Sequence, residues 1–154
     1  MIRLSAETDK ECFVEQKVIY DEEEKGFISE QSTSVCISLL AAYVEVQFDS
    51  DDMCAKGVCG LAPKNAWRAA KLSKPEKVLK CGLKLEESFE WGVYRVDADN
   101  EWQMFYDENE KIICIGKTNI DVGDTNINFI SNVTATVNER GNLKALWIDL
   151  ATNL

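Results

Sequence analysis

The alternation of apolar and polar positions changes character along the chain, and from residue 78 onward it is typical of β-strands. Three runs of branched and aromatic residues, at residues 91–96, 101–106 and 111–115, are separated by short stretches rich in Asp, Asn and Glu. Runs of this kind between turn-forming residues are typical of consecutive antiparallel strands. The pattern therefore predicts a β-meander over residues 91–115.

A β-hairpin is predicted over residues 132–150. Val133, Ala135 and Val137 alternate with polar residues, and a second alternating run follows at residues 143–150. Between the two runs, Gly141 can adopt the positive φ that a tight turn needs. The alternation indicates one buried and one partly exposed face.

Two helices are predicted in the middle of the chain. Over about 33–44, apolar residues recur at helical spacing after a Ser/Thr-rich N-cap, although the alternation at residues 43–48 leaves a strand as the alternative. Over about 62–72, Pro63 suits a first turn and Lys64, Arg68 and Lys71 share one face. Because the strands follow one another without intervening helices, the predicted class is α+β: a mainly antiparallel sheet packed with one or two helices.

The length and composition predict one domain, residues 1–154, with a continuous apolar core. The chain has 154 residues, of which 45% are hydrophobic. Its first residues lack the apolar region of a signal peptide, and no run reaches the roughly 18 apolar residues of a membrane span. We therefore expect a cytoplasmic protein with no membrane partner, whose cysteines are mostly reduced thiols: Cys12, Cys36, Cys54, Cys59, Cys81 and Cys114.

The charge is strongly negative and unevenly distributed. The chain contains no histidine and carries a net charge of -10, from 17 basic and 27 acidic residues. Residues 53–84 hold eight basic residues and one acid, for a charge of +7, which leaves -17 on the remainder. The lack of histidine removes the commonest general base and metal ligand. The acidic remainder opposes binding to nucleic acid, so no nucleic-acid partner is expected.

The sequence contains no complete catalytic or cofactor motif. Cys54 and Cys59 form a C-x4-C pair, which is half of a zinc site or a redox pair, but only Cys81 could add a third ligand and a fourth is missing. Their alternative interpretation is free thiols on a loop, and a thiol-dependent enzyme centred on either is a weaker hypothesis. Acidic pairs lie in polar turns, where catalytic pKa shifts are not expected. We therefore predict no enzyme activity, no cofactor and no metal.

Aromatic residues are interspersed with carboxylates in the region of the predicted meander. Exposed aromatic anchors surrounded by acids are suited to an interface with a cationic protein. An alternative is that the tryptophans fill the core while the acids coat its rim. The candidate partner-binding residues are Glu86, Glu87, Glu90, Trp91, Asp97, Asp99, Glu101, Trp102, Tyr106, Asp107, Glu108 and Glu110.

In its small size, acidity and lack of catalytic motifs, the whole chain resembles the immunity proteins of bacterial polymorphic or contact-dependent toxin systems. The resemblance implies a stoichiometric inhibitor that covers the active site, or a nearby surface, of a cognate basic toxin such as a nuclease. Phage-encoded inhibitors of defence nucleases have the same profile. The main alternative of another class is a small-molecule-binding or structural β-rich module, and a carboxylate hydrolase comes last.

Overall fold

The computed structural model describes residues 2–29, 37–96 and 101–153, which fold almost entirely as β-structure. Strands make up 52% and helical turns 6%, and no described helix reaches seven residues. Within these ranges no helix is long and apolar enough to cross a membrane. The described strands are β1 (Leu4–Glu7), β2 (Val18–Asp21), β3 (Gly26–Ser29), β4 (Ile37–Ala41), β5 (Val44–Phe48), β6 (Ala55–Leu61), β7 (Trp67–Ala69), β8 (Val78–Lys80), β9 (Gly82–Leu85), β10 (Gly92–Arg95), β11 (Met104–Asp107), β12 (Ile112–Gly116), β13 (Thr125–Ile130), β14 (Val133–Val137) and β15 (Leu143–Asp149).

The prediction of an α+β fold is wrong, because neither predicted helix forms. Residues 33–36 lie outside the described residues, and residues 37–48 form the antiparallel hairpin of β4 and β5. Along this hairpin every second side chain is buried, which agrees with the period-two alternation. Ala42 makes the tight turn with a φ of 58°.

The second predicted helix, about 62–72, is a single 3-10 turn, Lys64–Ala66, followed by β7. Pro63 does begin the turn, as expected of a proline at a helix start. The chain then extends because Trp67 packs its ring against Tyr20 and Tyr106, at centroid distances of 4.9 and 5.0 Å. Tertiary packing therefore overrides a weak local helix preference.

The predicted meander is divided between two sheets. A six-stranded sheet has the order β10-β4-β5-β6-β3-β2, and β10 joins it in parallel to β4. The strands β11 and β12 pair antiparallel in a seven-stranded sheet with the order β7-β11-β12-β15-β14-β13-β8, which also contains the hairpin of β14 and β15. A third sheet pairs β1 with β9.

One apolar core is shared by the two large sheets. Buried side chains from β4, β5 and β6 form a single cluster with those from β12 to β15. The small sheet adds Leu4, Leu83 and Leu85 to the same cluster. Burial of this apolar surface is the main stabilising contribution to the fold.

The outer face of the seven-stranded sheet is covered by residues 70–77, which we call the strap. The strap links β7 at one edge of the sheet to β8 at the other edge, so it crosses the whole face. Leu72 packs in a second apolar cluster with residues of β12 and β15, including Trp147. The Leu72 N–H donates to Asp107 Oδ2 over 2.8 Å. This cover explains why β12 and β15 are buried on both faces.

A disulfide joins Cys12 to Cys54, with a Cα–Cα distance of 5.8 Å. The expectation that Cys54 is a free loop thiol is therefore wrong. Cys59, Cys81 and Cys114 are free, and Cys36 lies outside the described residues. Gly82 lies directly against Cys12, because a Cβ at residue 82 would stand 2.3 Å from the Cys12 Cβ.

Replacing both disulfide cysteines with alanine should lower the free energy of unfolding by about 4 kcal/mol, the loop-closure contribution of a cross-link of this span. The bond closes a loop over a sequence separation of 42 residues. Urea denaturation in a non-reducing buffer with a chelator measures the loss. The Cys59→Ala variant is the control, and an equal loss in that variant would contradict the assignment.

Replacing Leu72 with alanine should lower the free energy of unfolding by ~3 kcal/mol, because it opens a cavity between the strap and the sheet. The Leu79→Ala variant is the matched control, since Leu79 is exposed on β8 and should change stability by less than about 0.5 kcal/mol. Thermal and urea denaturation compare the two. Equal effects would show that the strap does not cover the sheet in solution.

Candidate functional site

The basic segment, residues 53–84, is partly neutralised by the acidic remainder of the chain. Four of its eight cations form ion pairs, and each partner carboxylate lies outside the segment. In three of these pairs the lysine nitrogen lies 2.9 to 3.5 Å from a carboxylate oxygen, and the fourth pair joins Lys64 to Glu22. The segment therefore acts in part as an internal counter-charge. The four pairs are Lys56–Asp52, Lys64–Glu22, Lys74–Asp149 and Lys84–Glu7.

The candidate partner-binding residues fall into two groups. The first lies between β9 and β10 and the second around the turn between β11 and β12, so the two belong to different sheets. Glu101 is exposed between them, and Asp97 and Asp99 lie outside the described residues. The first group is Glu86, Glu87, Glu90 and Trp91; the second is Tyr106, Asp107, Glu108 and Glu110.

Trp102 and Asp107, two of the predicted interface residues, are buried. Trp102 is 7% exposed and belongs to the shared core. Asp107 is 4% exposed and accepts backbone N–H groups from Leu72, Glu110 and Asn109. These hydrogen bonds, that from Leu72 first, hold the pKa of Asp107 below its ordinary value. Asp107 therefore joins the strap to the β11–β12 turn.

Tyr106 is half-buried in an aromatic cluster that joins the two large sheets. Tyr20 and Phe27 come from the six-stranded sheet, and Trp67 and Tyr106 come from the seven-stranded sheet. The groove beside this cluster, of about 870 Å³, is lined by cations and carboxylates as well as by aromatic rings. Ligand pockets are usually more apolar. We therefore interpret the aromatic cluster as packing between the two large sheets and not as a ligand site.

The first group contains an exposed tryptophan next to the edge strand β10 of the six-stranded sheet. Trp91 is 74% exposed, and Val93 beside it on β10 is exposed as well. The Trp91 Nε1–H donates to Ser50 Oγ at 3.3 Å, which brings the turn between β5 and β6 alongside. We call residues 49–52 together with residues 86–93 the Trp91 surface.

Internal contacts hold both parts of the Trp91 surface in place. The Phe89 and Tyr94 rings meet edge to face at 5.1 Å, and the Tyr94 hydroxyl donates to the Glu90 carbonyl at 2.8 Å. The Leu85 N–H donates to the Met53 carbonyl at 2.9 Å, which joins the two segments a second time. The surface is therefore organised before any partner binds, which lowers the entropic cost of association.

The Trp91 surface is strongly acidic. Its two segments contain six carboxylates and no cation. Only one of the six, Asp52, forms an ion pair with a described residue, Lys56. Partial burial alone raises the pKa of Asp52, but the Cys54 N–H and the Lys56 ammonium together hold it below its ordinary value. The acidic turn at residues 49–52 was not among the predicted site residues, because no local pattern relates it to Trp91.

The strand β10 also offers a free edge. Among the described residues it pairs only with β4, so its other side has no neighbouring strand. An exposed strand edge can hydrogen-bond to an extended segment of another protein. A tryptophan anchor, a strand edge and six carboxylates thus lie on neighbouring segments, and one exposed cation, Arg95, ends β10.

The described free thiols are not activated as nucleophiles. Burial, and then the Glu45 carboxylate at 3.4 Å from its Sγ, raise the pKa of Cys59 to about 11. Burial raises the pKa of Cys114 to about 12, and it also raises the pKa of Cys81. A catalytic thiol needs a lowered pKa. With Cys54 held in a disulfide, no support remains for a thiol centre at Cys54 or Cys59.

Comparison with protein-family models and with curated proteins returned no match. The geometry and charge of the Trp91 surface are therefore the features from which a function is inferred.

Replacing Glu45 with glutamine should lower the pKa of Cys59, because it removes the nearby negative charge, while burial keeps the value above its ordinary 9.0. The rate of Cys59 alkylation, followed by mass spectrometry of its peptide, should be higher in Glu45→Gln at each pH below 10. Because the unfolded thiol loses its proton first, the folded protein should also lose stability as the pH rises from 9 toward 11. Unchanged alkylation rates would contradict the contact between Cys59 and Glu45.

Proposed function

We propose that the chain is a stoichiometric inhibitor of a basic protein and that it binds this partner through the Trp91 surface. The observation that carries the proposal is an indole that is 74% exposed at the edge of the six-stranded sheet, as far as the chain is described, on segments that carry six carboxylates. An immunity protein against a cytoplasmic toxin, such as a nuclease, is the role that fits this surface. The proposal places the chain in the cytoplasm beside its target, where reduction of the Cys12–Cys54 bond is expected.

The geometry favours a protein partner over a small ligand. An exposed tryptophan is the commonest kind of hot-spot anchor, because it buries a large area with little loss of side-chain entropy. The edge of β10 can add main-chain hydrogen bonds, which are insensitive to the partner's side chains. Specificity then comes from the exposed side chains beside that edge, chiefly Trp91 and Val93.

The charge favours a partner with a cationic surface. A nuclease that binds a phosphate backbone presents lysines and arginines around its active site. The carboxylates of residues 49–52 and 86–90 attract such a surface over the Debye length and speed the encounter. Inhibition then needs no chemistry, because the bound chain covers the site. An inhibitor of a defence nuclease would work in the same way, and the neighbouring genes distinguish the two roles.

Charge reversal and truncation at the Trp91 surface should change different rate constants. The triple variant Glu86→Lys, Glu87→Lys, Glu90→Lys should slow association severalfold, and high salt should shrink the difference, because these charges act through screened attraction. Trp91→Ala should instead speed dissociation, with ~2 kcal/mol or more of lost affinity. Biolayer interferometry against basic proteins encoded by neighbouring genes measures both effects.

Matched variants at the other acidic group serve as controls. Reversing Glu108 and Glu110 to lysine should leave both rate constants nearly unchanged, since these residues lie on a different sheet. If that reversal slows association while the triple variant does not, the β11–β12 turn is the interface. If the partner keeps its activity at a one-to-one ratio of bound inhibitor, the inhibitory function itself is wrong.

A further inference from the structure

The disulfide lies beside a carboxylate that belongs to the same turn as one of its cysteines. The Sγ atoms of Cys12 and Cys54 and a carboxylate oxygen of Asp52 all lie within 4.8 Å of one another. Both cysteines are buried, whereas the Asp52 side chain is 42% exposed. The three groups therefore form a cluster whose two sulfur atoms are buried and whose carboxylate is partly exposed to water.

Two separate segments of the chain build this cluster. Cys12 ends a 3-10 turn, Lys10–Cys12, whose N-cap Asp9 accepts a hydrogen bond from the Glu11 N–H. Gly82 on β9 lies against Cys12 and leaves no room for a side chain there. On the other segment, the Cys54 N–H donates to Asp52 Oδ1 at 2.9 Å, which fixes the carboxylate relative to the sulfur.

We infer that the reduced protein binds a thiophilic divalent cation, with Zn²⁺ as the type case, through Cys12, Cys54 and Asp52. Zinc binds thiolate sulfur at about 2.3 Å and carboxylate oxygen at about 2.0 to 2.2 Å in a tetrahedron. The sulfur atoms of such a site stand about 3.8 Å apart, so the two cysteines need to separate only modestly from their bonded positions. Water completes the tetrahedron on the exposed side of Asp52.

The charges around the cluster suit such a site. Two thiolates and one carboxylate exceed the charge of Zn²⁺ by one negative charge. The Lys56 ammonium, 2.9 Å from Asp52 Oδ2, is placed to offset it and to orient the carboxylate. Partners of this kind around metal ligands tune the affinity of the metal.

The disulfide and the metal exclude each other. A dithiol reductant supplies two electrons and two protons, the bond between Cys12 Sγ and Cys54 Sγ breaks, and the reductant becomes a disulfide. Zn²⁺ then displaces the two thiol protons to water and forms two Zn–S bonds. In either state the same two residues tie the Lys10–Cys12 turn to the β5–β6 turn. The ligand partner of Cys54 is thus Cys12, and Cys59 takes no part.

The test uses the full chain reduced with a water-soluble phosphine, with ZnCl₂ as the probe. Isothermal titration calorimetry should show one Zn²⁺ per chain with release of two protons, and the melting temperature should rise. The oxidised protein should bind none. Co²⁺ in place of Zn²⁺ should give the thiolate charge-transfer absorption of a tetrahedral site. Cys12→Ser and Asp52→Asn should each weaken binding by roughly tenfold or more.

Cys59→Ser is the matched control and should bind zinc as the unmodified chain does. Asp52→Asn keeps the cysteines, so an unchanged melting temperature of its oxidised form shows that any loss of zinc binding is not misfolding. The inference is overturned if the reduced chain binds no zinc, or if Cys12→Ser or Asp52→Asn leaves the affinity unchanged. It is also overturned if binding depends on Cys59. None of these outcomes involves the protein partner.

Discussion

The central strands β12 and β15 of the seven-stranded sheet are apolar on both faces, and the rest of the structure depends on covering their second face. The strap provides that cover with Leu72, and Asp107 fixes its position by accepting the Leu72 N–H. Because the strap spans the sheet from edge to edge, it also sets where the chain goes next. At one end it places Trp67 in the aromatic cluster between the sheets. At its other end the strap leads into β8 and β9, and the first residues of the Trp91 surface follow β9 directly.

Positive and negative charges are concentrated on different parts of the molecule. Half of the cations of the basic segment meet carboxylates from elsewhere in the chain, and of these Lys74 lies on the strap itself. The Trp91 surface keeps five carboxylates without an ion pair to any described residue. An ordinary surface would intersperse both signs, and this one concentrates a single sign around an exposed aromatic ring. That arrangement costs stability through repulsion and is explained if a cationic partner relieves it.

Local patterns were informative only where local contacts decide the structure. The alternation around Val133 and the turn at Gly141 correspond to β14, β15 and their connection. Residues 37–48 contain both a helical and a strand periodicity, and the pairing that selects the strand comes from β6 and β10. The exposure of Trp91, by contrast, fits the interface hypothesis. Its hydrogen bond to Ser50 joins residues 41 positions apart, and no local sequence pattern predicts it. The Cys12–Cys54 bond spans 42 residues and is equally invisible there.

The Asn132 side chain has a consequence for the order in which the molecule is made. Its amide bonds to both the N–H and the carbonyl of Val18, at 2.8 and 2.7 Å, across 114 residues of sequence. The Leu4 N–H likewise donates to the carbonyl of Gly141, which is made much later. At a translation rate of about 5–20 residues per second, the early strands therefore remain without these partners for roughly 6 to 25 seconds. Folding of such a high-contact-order chain is completed only after the last hairpin leaves the ribosome. The hydrogen bonds that join the first strands to the hairpin of β14 and β15 are therefore among the last to form.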